Sequence, residues 1–518
     1  MIDIYFKLVV FIVFSLIYFY SVVGYGKILA IKNSNYFESY FDGTIILLIL
    51  GYLIYVTFGT NLIINIFITS IGLILYFKID KELRGIKNIY IIFLLLALFS
   101  ILVISKTHED FNTYHYFAIF EIFNHNLRIG LSQLNEKFFH SSLLAINQSL
   151  SILPFFNFKL VHLSSFFIYF SVIGYFIVNL FSKEKNNKEV FFSILCLFIL
   201  LIKFNRLSEY GYDYVSQFIL LIVFHKIYFL CSINNEIRKS ILYFVLSVLI
   251  KPISLLFLPI MIFIFYKKGI FFYKKISKSI YVILFSLLII LFSSSFFKSG
   301  CFFYPLNKTC FSTEKVSWSE KDRIEDYSES VSLWAKGYYA QDKTKYEKID
   351  DKKLYNQNFN WVKYWIDLHF FYKIFEFLII VIISLIIIYI YFKKNDKNLN
   401  NNKKDSFVLL FFSFLSIIFW FNTVPQFRFG FSSIIIFFYI LFDLLLGLKI
   451  YFNKNKFFNI LIIGLLILNF KNINRINSEF KRNDFYKFKN FPFYNVIEIN
   501  NDYSNLNVEK IFHIDILK

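Results

Sequence analysis

Residues Lys106–Pro154 read KTHEDFNTYHYFAIFEIFNHNLRIGLSQLNEKFFHSSLLAINQSLSILP. Long apolar runs flank this polar, aromatic stretch on both sides. Glu109 and Asp110 stand directly after one of those runs, and Tyr114, His115, Glu121, His125, Arg128, Glu136 and His140 follow. An ionised side chain costs roughly 2.5–3.5 kcal/mol at the centre of an inserted helix, so a membrane chain has few places for such groups. A cluster of them at a membrane surface is read here as a site. The plainer reading is a solvated loop followed by an amphipathic helix on the bilayer.

Composition supports the membrane setting. The 518 residues are 57% hydrophobic and only 17% charged, with a mean hydropathy of +0.58. That profile belongs to a polytopic membrane protein rather than to several soluble domains. The 73 Phe and 37 Tyr accompany many Ile, Asn and Lys, the mark of a low-GC genome, so aromatic content is not taken as base or sugar stacking. The formal charge of +20 would suggest nucleic acid in a soluble protein. Here the Lys and Arg gather in short loops between apolar runs, the positive-inside pattern, and no nucleic-acid module is present. No fixed-period repeat is found, and the first apolar run, Ile4–Val23, is read as a span rather than a cleaved signal.

Loop charges give the expected topology. Lys27 and Lys32, Lys78–Lys87, Ser182–Lys188, Arg238 with Lys239, and Lys393–Asp405 mark the cytoplasmic side. Spans are expected at Ile4–Val23, Thr44–Thr57, Leu62–Phe77, Asn88–Ser105, Lys159–Phe181, Val190–Phe204, Val215–Cys231, Ile276–Phe297, Phe370–Phe392, Ser406–Phe421, Phe431–Leu448 and Phe457–Phe470. Ser240–Tyr266 is different. Both flanks are basic, and Lys251-Pro252 interrupts its middle. Proline breaks a helix, so two half-length helices entering and leaving on the cytoplasmic side are expected, with one kinked span as the alternative. The expected fold is an all-α polytopic membrane protein of about 12–13 transmembrane helices, with an amphipathic helix near Phe111–Phe123. Residues 1–470 form its membrane domain, with outer loops 106–157, 205–214, 298–368 and 422–430. The polar tail 471–518 is expected on the non-cytoplasmic side, its alternation near Lys510–Leu517 suiting a strand.

This layout gathers Glu109, Asp110, His115, Arg128, Arg206, Glu209, Asp213 and Arg428 on one face, with Lys251 approaching from within. Carboxylates serve as general bases toward a hydroxyl, and Arg grips phosphate with paired donors. The competing readings are an interfacial anchor for Arg428 and a simple Asp213 partner for Lys251. His125 and His140 read as loop polar groups. No HExxH, CxxC, Walker A or GxSxG pattern occurs, so no cofactor is expected and no motif supports a divalent metal. Cys196 and Cys231 lie in apolar runs. Cys301 and Cys310 share one outer loop and are expected to form a disulfide there.

The arrangement resembles the GT-C class of membrane glycosyltransferases, which use polyprenyl-phosphate-linked sugars outside the cytoplasm. THEDFNTYHY occupies the place of that class's acidic outer loop, with Asp110 the match to its key carboxylate and Glu109 beside it. LIKPISLLFLP (Leu249–Pro259) looks like its interrupted apolar run, and FRFG (Phe427–Gly430) is similar to its late Arg segments. More closely, Asp110, Tyr114, His115, Gly130, Leu131, Leu134, Asn135, Ser141 and Ser142 are similar to an uncharacterised bacterial multi-span family of that architecture. GCFFYPL and QFRFGFSS fit it too. The key loop here follows the fourth span, whereas the class places it after the first.

The resemblance implies an inverting glycosyltransferase in a bacterial inner (cytoplasmic) membrane. Its partners would be membrane lipids, a polyprenyl-phosphate-linked sugar and a glycan or lipid acceptor. Asp110, with Glu109, would be catalytic; Tyr114, His115, Arg128, Arg206, Asp213, Lys251 and Arg428 would bind substrate. The rival expectations are a polysaccharide polymerase or ligase with Arg-led chemistry, and a non-enzymatic lipid-linked glycan flippase or transporter.

Overall fold

The computed structural model describes residues 2–29, 35–79, 88–103, 114–140, 142–181, 186–203, 212–230, 234–269, 277–393, 403–447, 452–481, 508–511 and 514–517. Glu109, Asp110, Arg206, Glu209 and Cys231 lie outside them.

The described chain is a helical bundle. Its first helices are α1 (Ile2–Gly26), α2 (Tyr36–Thr57), α3 (Leu62–Ile79) and α4 (Asn88–Leu98). The polar segment contains α5 (Tyr116–Asn124), α6 (Leu131–Leu134) and α7 (Leu144–Leu150). Then come α8 (Leu163–Phe181), α9 (Asn187–Lys203), α10 (Tyr212–Phe229), α11 (Asn234–Ile250), α12 (Leu258–Lys267) and α13 (Lys278–Ser299). The large outer loop carries α14 (Lys321–Ala335) and leads into α15 (Phe375–Phe392), α16 (Lys403–Thr423), α17 (Phe427–Leu446) and α18 (Lys454–Lys481). In the tail, β1 (Val508–Ile511) pairs antiparallel with β2 (Ile514–Leu517), the strand-like element expected near Lys510–Leu517.

Eight helices among the described residues are long and apolar enough to cross a membrane, so the protein is an all-α multi-pass membrane protein. The other five expected segments are shorter or more polar helices: α3, α4, α9, α10, and the interrupted pair α11 and α12. Small residues bring the first helices together. A Cβ on Gly26 would stand 1.8 Å from the Ser39 carbonyl oxygen, and one on Gly43 would stand 1.8 Å from that of Val22. Such contact lets backbones approach and gain packing that apolar side chains cannot supply in lipid.

Side-chain contacts sort the helix ends into two sets. At one end Lys27 donates to the Tyr76 carbonyl, Lys188 pairs with Asp443, and Lys456 donates to the Tyr391 carbonyl. Lys226 lies between Glu38 and Glu236, while Lys239 sits 2.9 Å from Glu38. The described helix ends that flank the basic runs of the sequence lie at this end, as the positive-inside pattern predicts. At the other end the Leu127 N–H donates to Tyr55, the Gly130 N–H to Phe297, and Lys471 to Ile202. Lys203 meets Glu376 there at 3.1 Å.

The interrupted segment folds back. Lys226, near the C-terminal end of α10, pairs with Glu236 at the start of α11. Lys251, after α11, meets Asp213 at the opposite end of α10. Lys268, after α12, donates to the Tyr228 carbonyl at 2.6 Å, back where α11 began. The segment therefore enters and leaves at the basic end, as expected, rather than crossing once as a kinked helix. Its helices are not half-length, because α11, with 17 residues, runs the length of the 18-residue α10 and sets the turn at the opposite end of the bundle.

Candidate functional site

The turn between α11 and α12 exists because Pro252 has no N–H and fixes its own φ. Lys251 is extended (φ −151°, ψ 114°), and the chain continues as a 3-10 turn over Pro252–Phe257. This carries the Lys251 amine to the first turn of α10, where Asp213 precedes the apolar run that begins at Val215. Lys251 Nζ lies 2.9 Å from Asp213 Oδ1. Arg428 Nε lies 3.0 Å from Asp213 Oδ2. One carboxylate thus holds two cations from two other elements. Burial pushes Asp213 up, but Lys251, Arg428 and nearby His115 outweigh it and bring its pKa down to about 2.

Arg428 is placed by the α16–α17 hairpin. Trp365 Nε1 donates to the Pro425 carbonyl at 2.7 Å, and Trp420 Nε1 donates to that of Gln426 at 2.8 Å. Gln426 in turn donates to the Ala335 carbonyl of α14 at 3.0 Å. The large outer loop therefore fixes the hairpin. The Arg428 guanidinium stacks 5.2 Å from the Trp334 ring centre and 5.3 Å from that of Phe429. Lys251 lies 5.7 Å from the same Phe429 ring. Arg428 remains partly open, its side chain 32% accessible against 8% for Asp213. That favours binding a solute or headgroup over simple burial of a charge.

The polar segment reaches this cluster through His115. Its ring packs edge-on against Tyr212 at 4.5 Å, and Tyr114 lies 3.9 Å from it. Tyr212 is fixed by donating to Gln148 Oε1 at 2.8 Å. Tyr114 also contacts the His140 ring at 5.8 Å and lies under the Lys137 amine. His140 Nδ1 is 3.1 Å from the Tyr327 hydroxyl of α14. A helix is present in the expected place as α5, but it is not amphipathic in the expected sense. Its buried residues are Tyr116, Ala118, Ile119, Glu121 and Ile122, so its one charged side chain faces inward, while Phe117, Phe120 and Phe123 are half-buried.

Of the expected binding residues, Tyr114, His115, Asp213, Lys251 and Arg428 come together. Arg128 stands 3.5 Å from Glu121, and both are buried. Arg206 and the expected catalytic pair Glu109 and Asp110 fall outside the described residues. Sequence reading missed Tyr212, Gln148, Trp334 and Phe429. Phe429 was visible as a neighbour of Arg428, but nothing local marked the others. Cys301 and Cys310 are bonded. Among the described residues no group of three His, Cys, Asp or Glu side chains is placed to hold a metal.

No curated protein and no solved structure matches the chain. One family model does, over residues 5–435, a stretch that contains every residue of this cluster but not α18 or the tail. The chain therefore belongs to the family described as a domain of unknown function, DUF8201.

Proposed function

We propose that the protein is a GT-C-like membrane glycosyltransferase of about 12–13 transmembrane helices, acting on the non-cytoplasmic face of a bacterial inner membrane. The observation that carries this reading is the pairing of Asp213 with both Lys251 and Arg428 at the end of the bundle opposite the basic loops. Two cations held by one carboxylate at a membrane surface suit a ligand that brings its own negative charge.

In this reading a polyprenyl-phosphate sugar enters from the bilayer. Arg428 and Lys251 hold its phosphate, sharing their charge between the ligand and Asp213. Asp110 takes the proton of the acceptor hydroxyl. The acceptor oxygen forms a bond to the anomeric carbon as the bond from that carbon to the phosphate oxygen breaks. The lipid phosphate leaves with both electrons of the broken bond, stabilised by the two cations, and the anomer inverts. Asp110 stands four positions before Tyr114, so the chain can hold their backbones no more than about 14 Å apart. That keeps Asp110 within reach of the cluster.

The test uses the full-length protein reconstituted in liposomes with a polyprenyl-phosphate sugar and a surface-glycan acceptor. Wild type is expected to transfer. Asp110→Asn and Arg428→Gln are expected to lose at least a hundredfold in rate with normal protein levels. Transfer without any lipid-phosphate sugar, or full activity in Asp110→Asn, would refute the reading. An Arg-dependent but Asp110-independent lengthening of glycan chains would instead favour the polymerase.

A further inference from the structure

A cavity lies against the Lys251-Pro252 turn, and Asp213 is not among the residues that line it. Pro252 lines it, with His140 from the polar segment, Ser294, Ser295 and Lys298 from α13, and Tyr304 from the outer loop. It offers about 50 Å³ of water-accessible space, and roughly 10–15 Å³ admits one water. That is room for a group the size of a phosphate. The described residues lining it include an amine, an imidazole, a phenol and two hydroxyls, but no carboxylate.

The cationic wall is rigid. The Gly130 N–H donates to the Phe297 carbonyl at 2.8 Å, and Ser132 Oγ donates to that of Lys298 at 2.5 Å. The Glu320 N–H donates to Ser299 at 3.0 Å. The end of α13 is thus clamped from two sides. His140 is stacked on Tyr327 at 5.7 Å.

The approach to this cavity is apolar. Only 22% of the α13 span is buried. Tyr281, Phe285 and Leu288 are 44%, 66% and 44% exposed. They recur at i, i+4 and i+7, one helix face, and that face continues upward as Leu291, Ser295 and Lys298, all cavity-lining. An amphiphile with its chain along Tyr281–Leu288 would bring its head to Lys298. The Tyr114 ring, in contact with both His140 and His115, joins this cavity to the Asp213 cluster.

We infer that this cavity is a second ligand site, taking the phosphate or pyrophosphate of a lipid-linked molecule whose chain lies on the exposed face of α13. Its occupant is the acceptor, an assignment that rests on the transfer reading; the site itself does not. The protein then binds two lipid phosphates, one at the Asp213 cluster and one in this cavity.

The experiment is native mass spectrometry of the full-length protein in detergent with a short-chain polyprenyl phosphate. Wild type is expected to retain two molecules, Lys298→Gln one, Arg428→Gln one and the double variant none. Lys298→Arg is expected to keep both. Ser295→Phe, which fills the cavity without touching a charge, is expected to lose the same molecule as Lys298→Gln and covers the case in which Lys298→Gln fails to fold. Two molecules retained by folded Lys298→Gln or Ser295→Phe would overturn the site. Equal Lys298-dependent binding of inorganic phosphate would overturn the lipid, and equal binding of phosphatidic acid would overturn the acceptor assignment. Loss of only the Arg428-dependent molecule would count against the donor clamp and leave this site standing. Loss of only the Lys298-dependent molecule would do the reverse.

Discussion

Asp213 Oδ1 and Lys251 Nζ meet at 2.9 Å, and this contact sets the turn of a folded-back helix pair against the first turn of α10. A lysine beside a proline inside an apolar run has no local partner. Its amine is satisfied only because α11 is long enough to carry it the length of α10. The same contact makes Asp213 the junction of three elements, since Arg428 occupies its other oxygen.

The fold-back is checked by labelling. In a Cys231→Ser background, Asn235→Cys and Lys267→Cys are expected to react with an impermeant maleimide from the same side as Lys456→Cys. Reaction of the first two from opposite sides would mean that the segment crosses once.

Acid should weaken the Asp213 junction in a defined window. Its folded pKa of about 2 lies below the roughly 3.9 of an unfolded aspartate. The stabilisation is thus fully present above about pH 4 and disappears as pH falls toward 2. Asp213→Asn is expected to cost on the order of 2 kcal/mol at neutral pH. The gap in Tm between wild type and Asp213→Asn should stay constant from pH 7 to about 4.5 and narrow below it. A gap that closes between pH 7 and 5 would assign the effect to another group.

At the basic end, Lys226 is fully buried between Glu38 and Glu236. Removing one partner of a buried ion cluster strands the others, at about 3–5 kcal/mol. Lys226→Met is therefore expected to lower stability by that amount in detergent unfolding, even though Lys239 still pairs with Glu38. A loss under about 1 kcal/mol would show that water reaches the cluster.

The Cys301–Cys310 bond closes a short loop at the base of the outer segment. On loop length alone it stabilises by roughly 2–3 kcal/mol. Cys301→Ser is expected to lower the Tm and to raise proteolysis near Phe302–Thr309 without moving Arg428. Two free thiols in protein isolated without reductant would remove the basis of this expectation.

Much of the architecture was legible locally. Loop charges predicted which helix ends share a side, because moving Lys or Arg across a bilayer is costly. Pro252 announced the break, because proline cannot continue a helix. Two cysteines in one outer loop announced their bond. The site was legible in part. His115, Asp213, Lys251 and Arg428 were named from their residue types and expected side of the membrane. Arg128 had the same signal, yet it stands against Glu121, and only packing separates it from Arg428.

The sequence by itself determined the membrane class, the order of the helices, the break at Lys251-Pro252 and the face on which the charges collect. These follow from hydropathy, charge and backbone chemistry within short windows. The tertiary structure alone decided that the aspartate expected to pair with Lys251 also holds Arg428, that Trp334 from a distant loop stacks on Arg428, and that α13 ends in a cavity lined by Tyr304. Each of those joins elements far apart in the chain. Their partners are chosen by how whole helices pack, which no local pattern encodes.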